Sequence, residues 1–428
     1  MNSKKKVIIQ FNESNFNLIN KYCDKFQLSN LKKILDLNEI KTSSEEVYEY
    51  LEPWIQWYSF YTGMPYKEHK TFNLGDCLKK NHTNFVEKYA HIKKVSAFSS
   101  MNLKPSCKYV TYIPDPWTEA SAKGSFVDRL VSTNLRNIIN ENASLSLSPL
   151  SLLGILLLIG FPKNLTDLKV VFRSFRSFLN KDRSVLASCF DYFITKFSLK
   201  RIKYQQTDLS LFFLNGLAHV QHHYFLESEF VEGENPKWYS SGKDEVLSAL
   251  KIYDSTFKKI FNELSADEYE IWIITGLTQD SYDEPFCYWR FKDHKNLLSK
   301  FLDKDFEVIP RMTRDFEIKL KNKKDMESVK KFLEDSIVKN FHYSQKAFEN
   351  INITSESTIF ASFSYNKNYD DVKLVYKNIE HNLDDNLNFI ALKNAGHVQY
   401  GWAFTNAKIK KYDKKVPIWE LSKIIMDT

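Results

Sequence analysis

The run Leu209-Ser210-Leu211-Phe212-Phe213-Leu214, stopped at once by Asn215-Gly216, is the segment that most limits what this chain can become. Six such residues ended by a turn dipeptide read as a buried strand. Polar groups projecting from the end of a buried strand are where open α/β sheets keep their ligands. Directly beyond it, His219, His222 and His223 place three of the ten histidines within five positions. If that stretch is helical, His222 and His223 lie three and four residues from His219, on one face. Such a group can hold a metal or an anionic ester. The plainer reading is that the imidazoles anchor a strand–helix junction, and both readings stay open.

The rest of the chain fits the same kind of sheet. Residues 7–11 form a short apolar run ending in Asn12-Glu13, then a helix-like segment reaches Leu35, the strand–turn–helix opening of a doubly wound sheet. Strand patterns recur at 94–98, 109–113, 207–214 and 270–275, with a helix near 243–263. Pro114-Asp115-Pro116 makes a rigid loop because both prolines fix φ. Further on, 306–314 and Asp315–Leu320 read as strands, 326–338 as an amphipathic helix, and 360–363, 372–376 and 389–392 as strands. The predicted division is a first part of an α/β core at 1–117, a helical insertion or cap at 118–203, a second part of the core at 204–300, a small α+β subdomain at 301–385, and a return to the core at 386–428. The fold class is therefore α/β: a mainly parallel sheet sandwiched by helices, with a helical insertion and a small α+β C-terminal portion.

Composition narrows the partners. The 428 residues carry a net charge of only +7, with lysines spread along the chain, and no nucleic-acid motif accompanies the charge. Anionic small molecules remain suitable ligands. The five cysteines are dispersed and odd in number, with no C-x-x-C pair, which argues for a reducing compartment and against a structural zinc site. No signal-peptide pattern precedes the first strand, so a cytoplasmic location is expected. The apolar 150–161 segment falls short of the about 20 residues that span a bilayer. It reads as a buried helix, with contact to a membrane surface as the lesser alternative.

Several stretches together resemble the alkaline phosphatase superfamily, in its nucleotide pyrophosphatase/phosphodiesterase-like branch. These are the strand end Phe11-Asn12-Glu13; Ser59-Phe60-Tyr61-Thr62-Gly63-Met64-Pro65-Tyr66-Lys67-Glu68-His69, similar to S-x-x-T-G-x-x-P-x-x-H-G; Gln221-His222-His223-Tyr224-Phe225, similar to D-x-x-x-H-x-[FW]; and Gly396-His397 followed by Gly401. The resemblance implies an alkaline-phosphatase-like fold, two metal ions (usually zinc), and a Thr or Ser nucleophile that displaces phosphate or sulfate esters. A weaker similarity to relatives associated with bacterial surface-polysaccharide synthesis implies a glycan precursor as substrate. Carried over by position, the pattern is eroded. The first metal-binding aspartate falls on Asn12 or Glu13, and residues 51–57, where the nucleophile is expected, hold no Ser or Thr. The aspartate ahead of His222 falls on Ala218, and an Asp-His pair falls on Gly276-Leu277 or its neighbours. His222 and His397 remain as metal ligands, for one divalent ion (zinc or manganese) or for none.

The candidate catalytic groups are Glu13, Glu52, His219 and Asp115; Asn12, Gln56, Ser99, Asn102 and Gln279 are candidates for substrate binding. Each has a structural alternative. Glu13 can cap the next helix, Ser99 and Asn102 suit a turn, and Asp115 suits an Asp-Pro turn. Gln56 sits one helical turn beyond Glu52, Gln279 is read at a strand end, and His397 in a loop after a buried strand. His69, His82, His91, His294, His342 and His381 are read as surface residues. Two functions follow: a divergent hydrolase or transferase acting on a phosphate-containing ester of a sugar, nucleotide or surface-glycan precursor, or an inactive binding or scaffolding protein using the same crevice.

Overall fold

The computed structural model describes residues 4–105, 107–118, 120–140, 160–179, 183–233, 235–240, 242–311 and 314–428. Most of the 150–161 segment, expected as a buried helix, lies outside them. Among the described residues no helix is long and apolar enough to cross a membrane. The chain forms two compact units, one of residues 1–236, 240–281 and 395–428, the other of 237–239 and 282–394. The second therefore begins earlier than the 301–385 subdomain read from the sequence.

The first unit is built on eight strands: β1 (Lys5–Phe11), β2 (Asn38–Ser43), β3 (Val95–Ser100), β4 (Val110–Pro114), β5 (Leu209–Leu214), β6 (Tyr269–Ile274), β7 (Tyr400–Thr405) and β8 (Val416–Pro417). Their order across the sheet is β8-β2-β7-β6-β1-β5-β3-β4. Only β7 runs against its neighbours, pairing antiparallel with β2 and β6. The expected α/β class with a mainly parallel sheet is the observed one. β1 lies between β5 and β6 in register, Phe11 beside Leu214 and Gln10 beside Ile274. The chain passes from β5 to β6 across β1, so the carboxyl end of β1 sits where an open sheet places its ligand crevice.

Strands covered on both faces need apolar side chains at every position, and the two faces bury different sets. Val7, Ile9 and Phe11 of β1, Phe212 and Leu214 of β5, and Ile271 and Ile273 of β6 pack with helices Phe16–Phe26, Ser29–Leu35, Arg183–Gln205 and Glu245–Glu263. Ile8, Leu211, Phe213, Trp272 and Ile274 pack with Pro53–Thr62, Phe85–Ala90 and Ile418–Asp427. Residues 118–203 are helical at Phe126–Asn140, Leu165–Leu179 and from Arg183 onward. The last of these helices is a core layer rather than a cap, since Cys189, Tyr192, Phe197 and Ile202 are buried in the main cluster.

The second unit has two four-stranded sheets. One runs Ser344–Lys346, Ile337–Lys339, Lys373–Tyr376, Ile379–Asn382; the other runs Phe348–Ser355, Thr358–Phe363, Asp315–Leu320, Phe306–Pro310. The 326–338 helix ends at Asp335, and Ile337–Lys339 is a strand instead; the 306–314 strand ends at Pro310. Val329, Phe332 and Leu333 close the core of this unit with Phe291, Phe316 and Phe363. His294, read as a surface residue, is buried here beside Phe316.

Helix Gly216–Tyr224 follows β5 directly, so the histidine cluster is helical. Its start is fixed by a steric and a polar constraint. A Cβ on Gly216 would meet the Ala187 carbonyl oxygen at 2.6 Å and the Tyr253 hydroxyl at 2.8 Å. The Asp191 carboxylate accepts from the Gly216 N–H at 2.7 Å and from the Tyr253 hydroxyl at 2.5 Å. Burial pushes Asp191 up to about 7 despite these hydrogen bonds.

Two predictions follow from this junction. Gly216→Ala should destabilise the protein by about 1–3 kcal/mol, read by urea unfolding. Asp191 has a folded pKa above its unfolded one, so the folded state keeps a proton that the unfolded state releases. Its contribution to stability therefore falls as pH rises from the ordinary carboxyl range toward about 7, and is flat above that. Asp191→Asn keeps an acceptor oxygen and does not titrate. Its stability relative to the parent should rise across that window, as chemical denaturation at successive pH values would show.

Candidate active site

β1 ends at Phe11, and the chain then turns sharply. Asn12 N–H donates to the Leu214 carbonyl at 3.0 Å and Glu13 N–H to that of Thr275 at 2.9 Å, which ties the turn to both neighbouring strands. Glu13 adopts φ 56°, a left-handed conformation that a side chain rarely takes. Its carbonyl accepts from Gln221 Nε2 at 2.8 Å and Thr278 Oγ1 at 3.2 Å, so the unusual backbone is held from both sides. The following helix is capped by Asn15, which accepts from Leu18 N–H at 3.0 Å, and not by Glu13.

The Glu13 carboxylate is buried at the centre of a polar cluster. Its Oε2 lies 3.0 Å from His222 Nε2 and 3.0 Å from His397 Nε2, and it also accepts from Gln279 Nε2. Asn12 Nδ2 donates to Oε1 at 2.6 Å and to Asn215 Oδ1 at 2.8 Å, while Trp57 Nε1 donates to Asn12 Oδ1 at 2.7 Å. Burial opposes ionisation of Glu13. The charge of His397 and the hydrogen bonds from His222 and His397 outweigh it and hold the carboxyl well below its ordinary range.

The histidine tautomers show what is missing from this balance. His222 Nδ1 lies 3.1 Å from the Ala395 carbonyl, which can only accept, so Nδ1 carries a proton. A neutral His222 would then turn a bare Nε2 lone pair toward Glu13 Oε2. A proton on Nε2 or a cation shared by the two atoms relieves that conflict. Gln279 adds a second unmet acceptor, because its fully buried Oε1 has no partner.

One divalent ion fits these donors. Oε2 of Glu13 and one nitrogen each of His222 and His397 lie within 4.8 Å of one another. Edges of 3.0 Å are close to the roughly 3.3 Å expected between ligands of a tetrahedral ion with bonds near 2.0–2.1 Å. The Nδ1–H to carbonyl bond of His222 is the usual outer support of a ligating imidazole. Among the described residues these three form the one such group, and two positions on which the resemblance places further ligands lack them. Ala218 and Gly276 have no ligand atom. Trp57 fills space in the segment expected to hold the nucleophile, and a Cβ on Gly276 would meet its ring at 3.0 Å.

The other candidates divide clearly. Glu52 precedes helix Pro53–Thr62, with its side chain 37% exposed and Oε2 3.8 Å from His397 Nδ1, at the rim of the cluster. His219 stacks edge-on against His223 with ring centroids 4.7 Å apart and is not one of the three converging ligands. Asp115 is fully buried and accepts from the N–H groups of Asn102, Trp117 and Thr118 at 3.1, 3.0 and 2.9 Å. Burial raises its pKa. Asn102 bridges Gly75 N–H and the Trp54 carbonyl, and Gln56 bridges Glu45 N–H and the Tyr50 carbonyl. Ser99 takes φ 55° at an irregularity in β3. Asp115, Asn102 and Gln56 organise loops through these hydrogen bonds, whose partners do not include Glu13, His222 or His397.

Two placements differ from the sequence reading. His397 lies within the strand Leu387–Val398 rather than a loop, and Gln279 stands at the start of the strand Thr278–Phe291. His69, read as exposed, is buried against Ser59 at 2.9 Å. Asn215, Gln221 and Trp57 were missed as supports of the cluster. Asn215 carried only a turn signal, and Trp57 only an aromatic one.

No family model and no curated protein matches this sequence. Solved structures are similar over nearly all of its length. Phosphonoacetate hydrolase from Sinorhizobium meliloti 1021 in complex with phosphonoacetate is 11% identical, with 98% of this chain and 94% of that chain covered and a TM-score of 0.45. Murine ectonucleotide pyrophosphatase/phosphodiesterase 5 is 11% identical, with 99% and 94% covered and a TM-score of 0.43. Its human counterpart is also 11% identical, with the same coverage and a TM-score of 0.41.

The Asn12 contacts yield a prediction. Asn12→Asp replaces an N–H donor facing Glu13 Oε1 with a second carboxylate oxygen. In the presence of chelator it should cost at least about 1–3 kcal/mol, measured by thermal denaturation.

Proposed function

We propose that Glu13, His222 and His397 form a single divalent-cation centre, for zinc or manganese, in a hydrolase or transferase. Its substrate is a phosphate-containing ester of a sugar, nucleotide or surface-glycan precursor. The observation that supports this most is the meeting of three ligand atoms from distant segments at the carboxyl end of β1. A bound divalent cation would neutralise the phosphate oxygens of the ester.

The chain's own residues supply the rest. Asn12 and Gln279 orient the Glu13 carboxylate through hydrogen bonds, and Ala395 fixes the His222 ring. Glu52 at the rim is the acid placed to take a proton from an attacking group, with His397 between it and Glu13. Residues 51–57 hold no Ser or Thr. In this reading the attacking group is water or an acceptor hydroxyl, which displaces the ester's leaving group in one step. Trp57, occupying that segment, supports the alternative of an inactive binding or scaffolding protein that uses the same crevice.

Metal analysis of the purified chain, with assays on p-nitrophenyl phosphate and bis-p-nitrophenyl phosphate, separates the two. One equivalent of metal, lost in His222→Ala and His397→Ala, is expected, with turnover abolished by chelation. Glu52→Gln should lower kcat by about 10²–10⁴-fold while leaving the metal bound. Absence of metal together with chelator-insensitive inactivity would overturn the proposal. Bound metal without turnover of any ester would select the binding protein.

A further inference from the structure

Helix Leu165–Leu179 is packed inside out. Toward the protein it turns Asp167, Val170 and Ser177, with Val171 and Ser174 half-buried, a set without a large apolar side chain. Toward solvent it turns Leu165, Leu168, Phe172, Phe175, Phe178 and Leu179, each between 47% and 69% exposed. Positions 165, 168, 172, 175 and 179 recur at intervals of three and four, so they form one continuous stripe. Phe161, just ahead of the helix, is more exposed still. A surface helix of a globular protein shows the opposite arrangement.

Ionic contacts fix this orientation. The Asp167 carboxylate accepts from the Tyr192 hydroxyl, from Lys163 N–H at 2.9 Å, and from the ammonium groups of Lys196 at 3.1 Å and Lys259 at 3.2 Å. Burial opposes its ionisation, but the Tyr192 and Lys163 hydrogen bonds and the two lysines hold the carboxyl far below its ordinary range. Arg173 Nη2 reaches the Ser248 carbonyl at 3.3 Å. Rolling the helix to bury its phenylalanines would take the Asp167 carboxylate from both lysines and from the Tyr192 hydroxyl.

The charges beside the stripe have one sign. Lys163, Lys169 and Arg176 are exposed, and the helix's one acid, Asp167, faces inward. We propose that this helix is an interfacial membrane-binding element. Its Leu/Phe stripe lies in the headgroup–acyl boundary of an anionic bilayer, and Lys163, Lys169 and Arg176 sit at the lipid phosphates. At about 22 Å long, the helix lies in the membrane plane rather than across it. A second copy is the poorer occupant, because a symmetric pair would bring the same cations face to face. The inference is independent of the chemistry at Glu13.

Sedimentation of the full chain with phosphatidylcholine vesicles, with and without phosphatidylglycerol, tests it. Binding should require phosphatidylglycerol and weaken as salt is raised. Phe172→Ser combined with Phe175→Ser should weaken it about a hundredfold. Lys169→Glu with Arg176→Glu keeps the stripe and should cost about tenfold or more on anionic vesicles. All four positions are exposed or nearly so, and circular dichroism melting should match the parent. No binding to anionic vesicles, or binding that the double serine variant leaves unchanged, would overturn the proposal. A concentration-dependent dimer dispersed by the same variant would also overturn it, in favour of a second copy.

Discussion

One buried carboxylate organises the carboxyl edge of the sheet. Glu13 can be ionised there only because donors reach it from every side: His222 from the helix after β5, His397 from a late strand, Gln279 from the segment after β6, and Asn12 from its own turn. Each tie depends on backbone register, since the turn itself hangs from Leu214 and Thr275 on the two flanking strands. A slip of one residue in either pairing would reverse the side chains and leave the charge without compensation. The site and the strand order are thus one constraint seen at two scales.

Asp191 has the complementary role in the helical layer behind the sheet. It holds the first N–H of the histidine-bearing helix while Gly216 lets that helix approach Ala187 closely. The helix that carries His222 is therefore anchored by a carboxylate whose own hydrogen bonds run to Gly216 and Tyr253. Coupling of this kind makes the ligand geometry sensitive to packing well inside the core.

Much of this was legible in the sequence, for specific reasons. The continuous apolar runs at β1, β5 and β6 could belong only to covered strands, and Asn215-Gly216 announced the junction that places His222. Glu13, His222 and His397 were singled out by residue type and position. β2 and β7 were not, because Asn38–Ser43 has Ile40 as its one apolar residue and the β7 pattern is broken by Gly401. Gln56, Asn102 and Asp115 looked like site residues because polar groups beside strand ends and prolines do resemble one. Only the hydrogen-bond partners reveal that they knit loops. Asp191 gave no signal, since a lone acid in a helix has a commonplace explanation, and Asn215 signalled the turn but not its hydrogen bond to Asn12.

Trp57 carries a consequence of a different kind. Its indole donates to Asn12, and its ring lies where only a glycine at 276 leaves room. Indole, amide and glycine are locked together, so a change at any one of them is felt at the other two. A smaller residue at 57 opens a void and orphans Asn12, while a larger one at 276 collides with the ring. The floor of the cluster is therefore a single packing unit of three side chains, and its shape is set by all three at once.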